Sequence, residues 1–320
     1  MGINRRECLT TMLGALSFAR LGTEAQAQEK EPPVIAGPDP DTRTPVYKPP
    51  KGAIDCHTHI FGPPDRYPYS PRRPYTPPPA PLAMFQALHA KLGIDRAVIV
   101  NATVHGTDNK VVTDAIAESG GRYLGVANID ETISDKQLED LAAAGMRGCR
   151  LAFLSRLGGT PDIGRIERFA ERIAHVGWHI DLYFEAIKID AFLPTLKRLK
   201  IPYVIDHMGA WNAQDGIDHP AFKALVGLLH DDERCWMKIT GPERMSVTGA
   251  PFHDAVPFAQ KLIEAAPDRV IWGTDWPHPN VKTMPNDGDL VDLIPLYAPD
   301  EAMQRKLLID NPTRLFGFKG

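Results

Sequence analysis

The sequence predicts an α/β fold of the (β/α)8, TIM-barrel type, built as a single domain, and three of its features carry that prediction. Eight short apolar runs recur between residues 53 and 278. Stretches of helical period separate them, and two of these, DKQLEDLAAAG and GRIERFAERIAHVG, finish on a glycine suited to end a helix. No glycine-rich phosphate loop follows an early strand, which removes the signature of the competing doubly wound open sheet. Alternation over about 270 residues has room for eight strand–helix units around one core.

Taken in chain order, residues 1–27 read as an export signal of the twin-arginine type. Arg5 and Arg6 precede a modest apolar stretch at 9–19, and Ala25-Gln26-Ala27 forms a cleavage-site pattern of small residues. The apolar stretch is too short to span a bilayer, so the expected location is periplasmic. Residues 28–52, rich in Pro, Asp and Lys, read as an extended lead-in, which leaves the barrel at 53–320.

The first strand run is AIDCHTHIF, followed by RAVIVNATV at 96–104 and YLGVANID at 123–130. MRGCRLAFL at 146–154 and HIDLYFEA at 179–186 come next, then YVIDHMG at 203–209. CWMKITG at 235–241 and RVIWGTDWPH at 269–278 complete the eight. One segment breaks the rhythm: GPPDRYPYSPRRPYTPPPAP, residues 62–81, is too rich in proline for a helix and predicts a stiff extended loop. It leaves the end of the first strand, either as a wall of the barrel mouth or as a passive surface loop.

Composition narrows the function. A hydrophobic fraction of 43% with 24% charged residues is that of a soluble globular chain. The formal net charge of −4 gives no footprint for nucleic acid or an anionic membrane, so an anionic substrate would have to be met by local arginines. Cys8 would leave with the signal; Cys56, Cys149 and Cys235 each sit in an apolar strand run, as buried free thiols do.

Candidate chemistry gathers at strand ends, which in a (β/α)8 barrel form the catalytic mouth. His57 and His59 stand two apart on the first strand, so both side chains point to one side. The second run ends with Thr103 and His105, the fourth carries Arg150 with Arg156 beyond it, and the fifth ends with Tyr183 and Glu185. His207 follows Asp206 at the end of the sixth, Arg244 follows the seventh, and Asp275 ends the eighth. A lone histidine at a strand end is ordinarily a hydrogen-bonded structural residue. Several in one mouth, with an aspartate opposite, are hard to explain as packing.

The pairing of DCHTH with WGTDWPHP resembles the amidohydrolase superfamily in its amidohydrolase-2 branch. HGTDN, GMRGCR, FLSRL, YFEA, VIDHMG and NPTRLFGF make the chain similar, from about residue 50 onward, to the branch's 2-pyrone-4,6-dicarboxylate lactonases and their sister lactonases. The resemblance implies hydrolysis of a small di- or polycarboxylate lactone, with a role in aromatic-acid degradation. It implies Asp275 as the general base that activates water, and His57, His59 and His207 as the groups polarising the carbonyl. It implies Arg150, Arg156 and Arg244, with Thr103 and Tyr183, as the substrate-binding residues; arginine suits that role because its planar fork meets a carboxylate in two parallel hydrogen bonds.

Many amidohydrolases hold zinc through the H-x-H pair, a histidine on strand five and the aspartate on strand eight. Here strand five ends in LYFEA, His179 lies at its opposite end, and Arg150 occupies strand four, where a cation would be repelled. The expectation is a metal-free site, with His57, His59 and Asp275 as the ligands should zinc be bound. A zinc-dependent hydrolase or decarboxylase of the same branch is the alternative. A silent binding protein is argued against by Asp275 standing with three histidines. The other histidines, among them His89 and His278, read as incidental.

Overall fold

Eight parallel strands pair strictly in sequence order: β1 (Ile54–Thr58), β2 (Arg96–Val100), β3 (Tyr123–Ala127), β4 (Met146–Ala152), β5 (His179–Tyr183), β6 (Tyr203–Ile205), β7 (Cys235–Ile239) and β8 (Val270–Trp272). Each lies inside one of the eight apolar runs. The computed structural model describes residues 31–154 and 162–319. The signal at 1–27 and the side chain of Arg156 therefore lie outside the described residues.

The ring closes where the chain beyond β8 meets β1. The Asp275 amide donates to the His57 carbonyl at 2.8 Å, and the His59 amide donates to the Trp276 carbonyl at 2.7 Å. Gly273 permits this approach, since a Cβ there would lie 2.6 Å from the His57 nitrogen. The strands are buried on both faces, which is why they read as apolar runs and not as an alternating pattern.

Helices α1 (Leu82–Leu92), α2 (Lys110–Glu118), α3 (Asp135–Ala143), α4 (Arg165–Ile173), α5 (Ile189–Leu196), α6 (Pro220–Asp231) and α7 (Val256–Ala265) connect successive strands. α1 ends on Gly93 in the left-handed conformation, with the Gly93 amide donating to the His89 carbonyl. α3 opens with a capping box between Ser134 and Gln137. The outer core fills the space between sheet and helices.

A smaller inner core fills the barrel: Ile54, Cys56, Val98, Val100, Val126, Val204, Trp236 and Ile271. Phe316, which ends α8 (Asn311–Phe316), and Phe318 close it from below. The Phe316 ring meets His179 edge-on at 5.1 Å, so His179 sits at the floor, as expected from its place at the start of β5. Cys56, Cys149 and Cys235 are buried free thiols.

Strand β1 carries a bulge. Asp55 pairs with Ala97 but Thr58 pairs with Ile99, so β1 spends one extra residue between them. Ile54 and Cys56 join the inner core, while Asp55 faces outward, its carboxylate 3.4 Å from His89 on α1. Unbroken alternation would turn His57 outward with Asp55. The extra residue turns it into the mouth instead.

The lead-in from residue 32 packs along the barrel as part of the same unit. Arg43 pairs with Asp289 and Asp292 at 2.5 and 2.6 Å, and Val34 bridges Thr76. The proline-rich loop folds back through a bridge between Phe61 and Ala80 and carries Tyr75 into the mouth, buried. Of its two readings, the wall is the one observed.

Candidate active site

A buried layer of charge lies beneath the mouth. Lys238 on β7 is fully buried, and its ammonium donates to Asp181 on β5 at 2.5 Å and to His57 on β1 at 3.1 Å. It also lies 3.1 Å from Asp206, which follows β6. Arg150 on β4 donates to the other Asp206 oxygen at 2.7 Å. Two carboxylates thus meet two cations, and the layer is electrically balanced.

Burial alone would favour neutral forms here, but the pairing overrides it. Burial pushes the Asp206 carboxyl up; Lys238 and Arg150 outweigh this and hold it well below the usual carboxylate range. Burial would lower Lys238, yet Asp181 and Asp206 raise it. At His57 the compensation falls short: Asp206 favours the charged ring but does not outweigh the opposing effects. Burial, then the ammonium of Lys238, bring it down to about 4, so its ring is neutral at pH 7.

Above this layer a narrow cleft is lined by His59, Tyr75, Thr103, Arg150, Tyr183, His207, Arg244 and Asp275. Seven of the residues expected from the sequence meet there, and His57 lies directly beneath, its ring centroid 4.6 Å from that of His207. Tyr75 joins them from the loop whose role was open. Its hydroxyl bonds Thr103, and burial pushes the phenol up to about 12. Tyr183 lies under the Arg150 guanidinium, 4.9 Å from ring centre to guanidinium carbon. Glu185 takes no part; it is half exposed and pairs with Lys188 at 2.5 Å.

Asp275 is the centre of the cleft. Its backbone is left-handed, with φ of 70°, a strained state for a residue with a Cβ and one found preferentially at functional sites. Arg244 donates to its Oδ2 from Nε at 3.0 Å and from Nη2 at 2.6 Å, while Nη2 also donates to the Pro279 carbonyl at 2.9 Å. Oδ1 faces His59 Nε2 at 3.4 Å and His57 Nε2 at 3.7 Å. Burial would raise the carboxyl, but Arg244 and then His207 hold it well below its ordinary value, so it is ionised at pH 7.

The histidine hydrogen bonds fix what each ring can offer. His59 Nδ1 lies 2.7 Å from the Val100 carbonyl, which can only accept, so Nδ1 carries a proton, and Nε2 faces Asp275. His57 is the reverse: an ammonium faces its Nδ1 and can only donate, so Nε2 carries the proton. His207 Nδ1 pairs with the Thr240 hydroxyl at 2.8 Å, and burial keeps its pKa well below the ordinary histidine value.

Behind Asp275 lies a group the sequence did not expose. His278 is fully buried, its Nε2 2.9 Å from Asp287 and its Nδ1 3.9 Å from Glu243, whose carboxylate also lies 3.4 Å from Arg244. His278, read as incidental, thus has buried partners beside Asp275, whereas His89 pairs with Asp55 away from the cleft. Their partners are distant in sequence, so spacing gave no signal. His105 is buried against Tyr69 and Phe61 and does not line the cleft. Lys238 and Asp181 were missed although both interrupt strand runs. A charge in a strand buried on both faces is the available signal for such a pair.

His57, His59 and Asp275 offer ligand atoms all within 4.8 Å of one another, the H-x-H-plus-aspartate set of a metal site. Their surroundings do not fit a divalent cation. The Nε2 of His57 carries a proton where a ligand needs a lone pair, and β5 ends in Tyr183 where a further imidazole would stand. The Arg150, Lys238 and Arg244 cations crowd the same volume.

Comparison with known proteins agrees with this architecture. The amidohydrolase family model matches residues 54–318. The chain is 43% identical over 281 residues, 85% of its length and 92% of the relative's, to a 2-pyrone-4,6-dicarboxylate hydrolase of Comamonas testosteroni. It is 40% identical to a 4-sulfomuconolactone hydrolase of Hydrogenophaga intermedia, over 91% of this chain and 97% of that one. The crystal structure of a probable 2-pyrone-4,6-dicarboxylic acid hydrolase from Acinetobacter baumannii, with citric acid bound, superposes with a TM-score of 0.73 at 25% identity, covering 83% of this chain and all of that one. The chain belongs to the amidohydrolase family.

Proposed function

We propose that this member of the amidohydrolase family hydrolyses a small lactone bearing two or more carboxylates, by general-base catalysis and without a metal. One observation carries the reading: an ionised Asp275 is clamped by Arg244 through one oxygen and turns the other to the histidines, inside a cleft that also holds Arg150. Two relatives at 40% identity or more are named as hydrolases of carboxylated or sulfonated lactones, and a third is bound to citrate, a tricarboxylate.

In this mechanism a water rests on Asp275 Oδ1, beside His59 Nε2. Asp275 takes a proton from it as its oxygen attacks the lactone carbonyl. The carbonyl oxygen becomes an oxyanion, met by the Nε2–H of His57 and by His207, which in this reading accepts from the Thr240 hydroxyl at Nδ1 and donates from Nε2. The tetrahedral intermediate then expels the ring oxygen, which takes back the proton held by Asp275, and the product is the ring-opened acid. His59 orients water in this reading, because its Nδ1–H is committed to the Val100 carbonyl and its Nε2 faces Asp275.

Arg150 is anchored on Asp206 and Arg244 on Asp275, and each guanidinium has further N–H groups for substrate carboxylates. Thr103, Tyr75 and Tyr183 add polar contacts, and Arg156 is assigned to the same task from its sequence motif. Residues 1–27 are read as a twin-arginine signal, which would set this chemistry in the periplasm. Cell fractionation of the chain carrying Arg5→Lys and Arg6→Lys tests that; the variant is expected to stay in the cytoplasm.

The deciding experiment is a lactone panel on the purified protein, with and without chelator, alongside metal analysis. Turnover of anionic lactones, indifferent to chelator and without stoichiometric metal, is the expected result. Equal turnover of neutral lactones would overturn the substrate class. Loss of activity with the metal would favour the zinc-dependent alternative.

A further inference from the structure

Lys238 is a costly residue to keep inside a barrel. A buried ammonium survives only if every N–H finds a partner and the charge is balanced. Asp181 and His57 accept its hydrogen bonds at 2.5 and 3.1 Å, Asp206 Oδ1 lies 3.1 Å away as an ion-pair partner, and Arg150 offsets this second carboxylate. Two aspartates would suffice to hold a lysine in place. The third contact, to an imidazole that borders the cleft, is the one that reaches the chemistry.

We infer that Lys238 is a positioning residue whose ammonium fixes His57 in the tautomer that carries its proton on Nε2, so that the ring presents a hydrogen-bond donor to the reacting carbonyl. The opposite tautomer would set an N–H against the ammonium at 3.1 Å. Its nearest acceptor, Asp206 Oδ1, lies at 3.5 Å, beyond an ordinary N–H···O bond. Meanwhile His57 Nε2 is buried and has no hydrogen-bond partner among the described residues, 3.7 Å from Asp275 Oδ1. A buried donor left unpaired is the condition of an oxyanion-binding group awaiting its charge. Were the tautomer reversed, a lone pair would face the developing oxyanion and oppose it.

The catalytic consequence rests on the lactone-hydrolase reading above, but the tautomer does not. Nitrogen-15 NMR of histidine-labelled wild-type protein near neutral pH, with His57 assigned by comparison with His57→Asn, reads the tautomer directly. A protonated Nε2 and an unprotonated Nδ1 are expected; a protonated Nδ1 overturns the inference. Kinetics of Lys238→Met combined with Asp181→Asn, which removes one charge of each sign, then test the consequence on whichever carboxylated lactone the wild type opens. A fall in kcat of about 100-fold with KM changed less than about threefold is expected, since one preorganised donor is lost and substrate contacts are kept. His57 in that variant should show a mixture of tautomers. Unchanged kcat, or retention of the single Nε2–H tautomer, overturns the role of Lys238. Should the double variant not fold, the wild-type spectrum still decides the tautomer. Should the wild type open no carboxylated lactone, the hydrolase reading falls while the spectrum still judges Lys238.

Discussion

Arg244 holds Asp275 by one oxygen only. Both of its hydrogen bonds end on Oδ2, at 3.0 and 2.6 Å, and Oδ1 is left facing His59 and His57. A bidentate fork across both oxygens would bind more tightly and leave no base. The single-oxygen clamp keeps the carboxylate ionised and leaves Oδ1 oriented toward the cleft.

Replacing Arg244 with Met should therefore act on the base as well as on substrate binding. Its guanidinium is the largest influence holding the Asp275 carboxyl down against burial. Without it the acid limb of the pH–rate profile should move to higher pH, and kcat/KM should fall by about 100-fold or more. An unshifted acid limb would show that Arg244 serves binding alone.

Asp275→Asn keeps the shape of the side chain and removes the base. Turnover should fall by about 1,000-fold or more, while calorimetry should find a ring-opened or analogue polycarboxylate bound within a few-fold of wild type. Residual activity close to wild type would move the base elsewhere.

Tyr75→Phe tests the wall of the cleft. The phenol is buried and bonded to Thr103, so removing its hydroxyl should raise KM several-fold with kcat nearly unchanged. Unaltered KM would return the proline-rich loop to a passive role.

Stability should depend on pH in a specific window. His57 is held neutral with a folded pKa of about 4, and burial also lowers His207 and His105 from the ordinary 6.5. Between pH 6.5 and about 4 the unfolded chain binds more protons than the folded one, so stability falls as pH falls through that range. His278 works the other way: burial opposes its charge, but Asp287 raises its pKa. Its contribution is complete below 6.5 and is lost as pH rises through the folded value. The depressed carboxyls of Asp181, Asp206 and Asp275 contribute fully above their unfolded pKa of about 3.9 and lose that contribution only in stronger acid. Thermal melts should show Tm declining from about pH 6.5 to pH 4, with a shallower slope in His57→Asn.

The far end of the barrel should be separable from the chemistry. Phe316→Ala empties the plug beneath the inner core and should cost about 3–5 kcal/mol in urea denaturation. At temperatures where the variant is folded, kcat should be close to wild type, because the charged layer stands between the plug and the cleft.

The eight strands were legible because each is buried on both faces and must be written as an apolar run, whatever its neighbours. The mouth residues were legible because a (β/α)8 barrel delivers every strand end to one place, so Asp275, His59, His207, Arg150 and Arg244 could be grouped without knowing a single distance. What the sequence could not carry was anything that depends on one strand touching another out of order. Lys238 gains its meaning from Asp181, Asp206 and His57, on three other strands or strand ends, and His278 from Glu243 and Asp287. The direction of His57 itself depended on a one-residue bulge in β1 that no alternation pattern records. Residue type and order determined which groups reach the mouth; the tertiary structure decided what faces each nitrogen of His57 and His59, because an imidazole takes its tautomer from the donor or acceptor set against it.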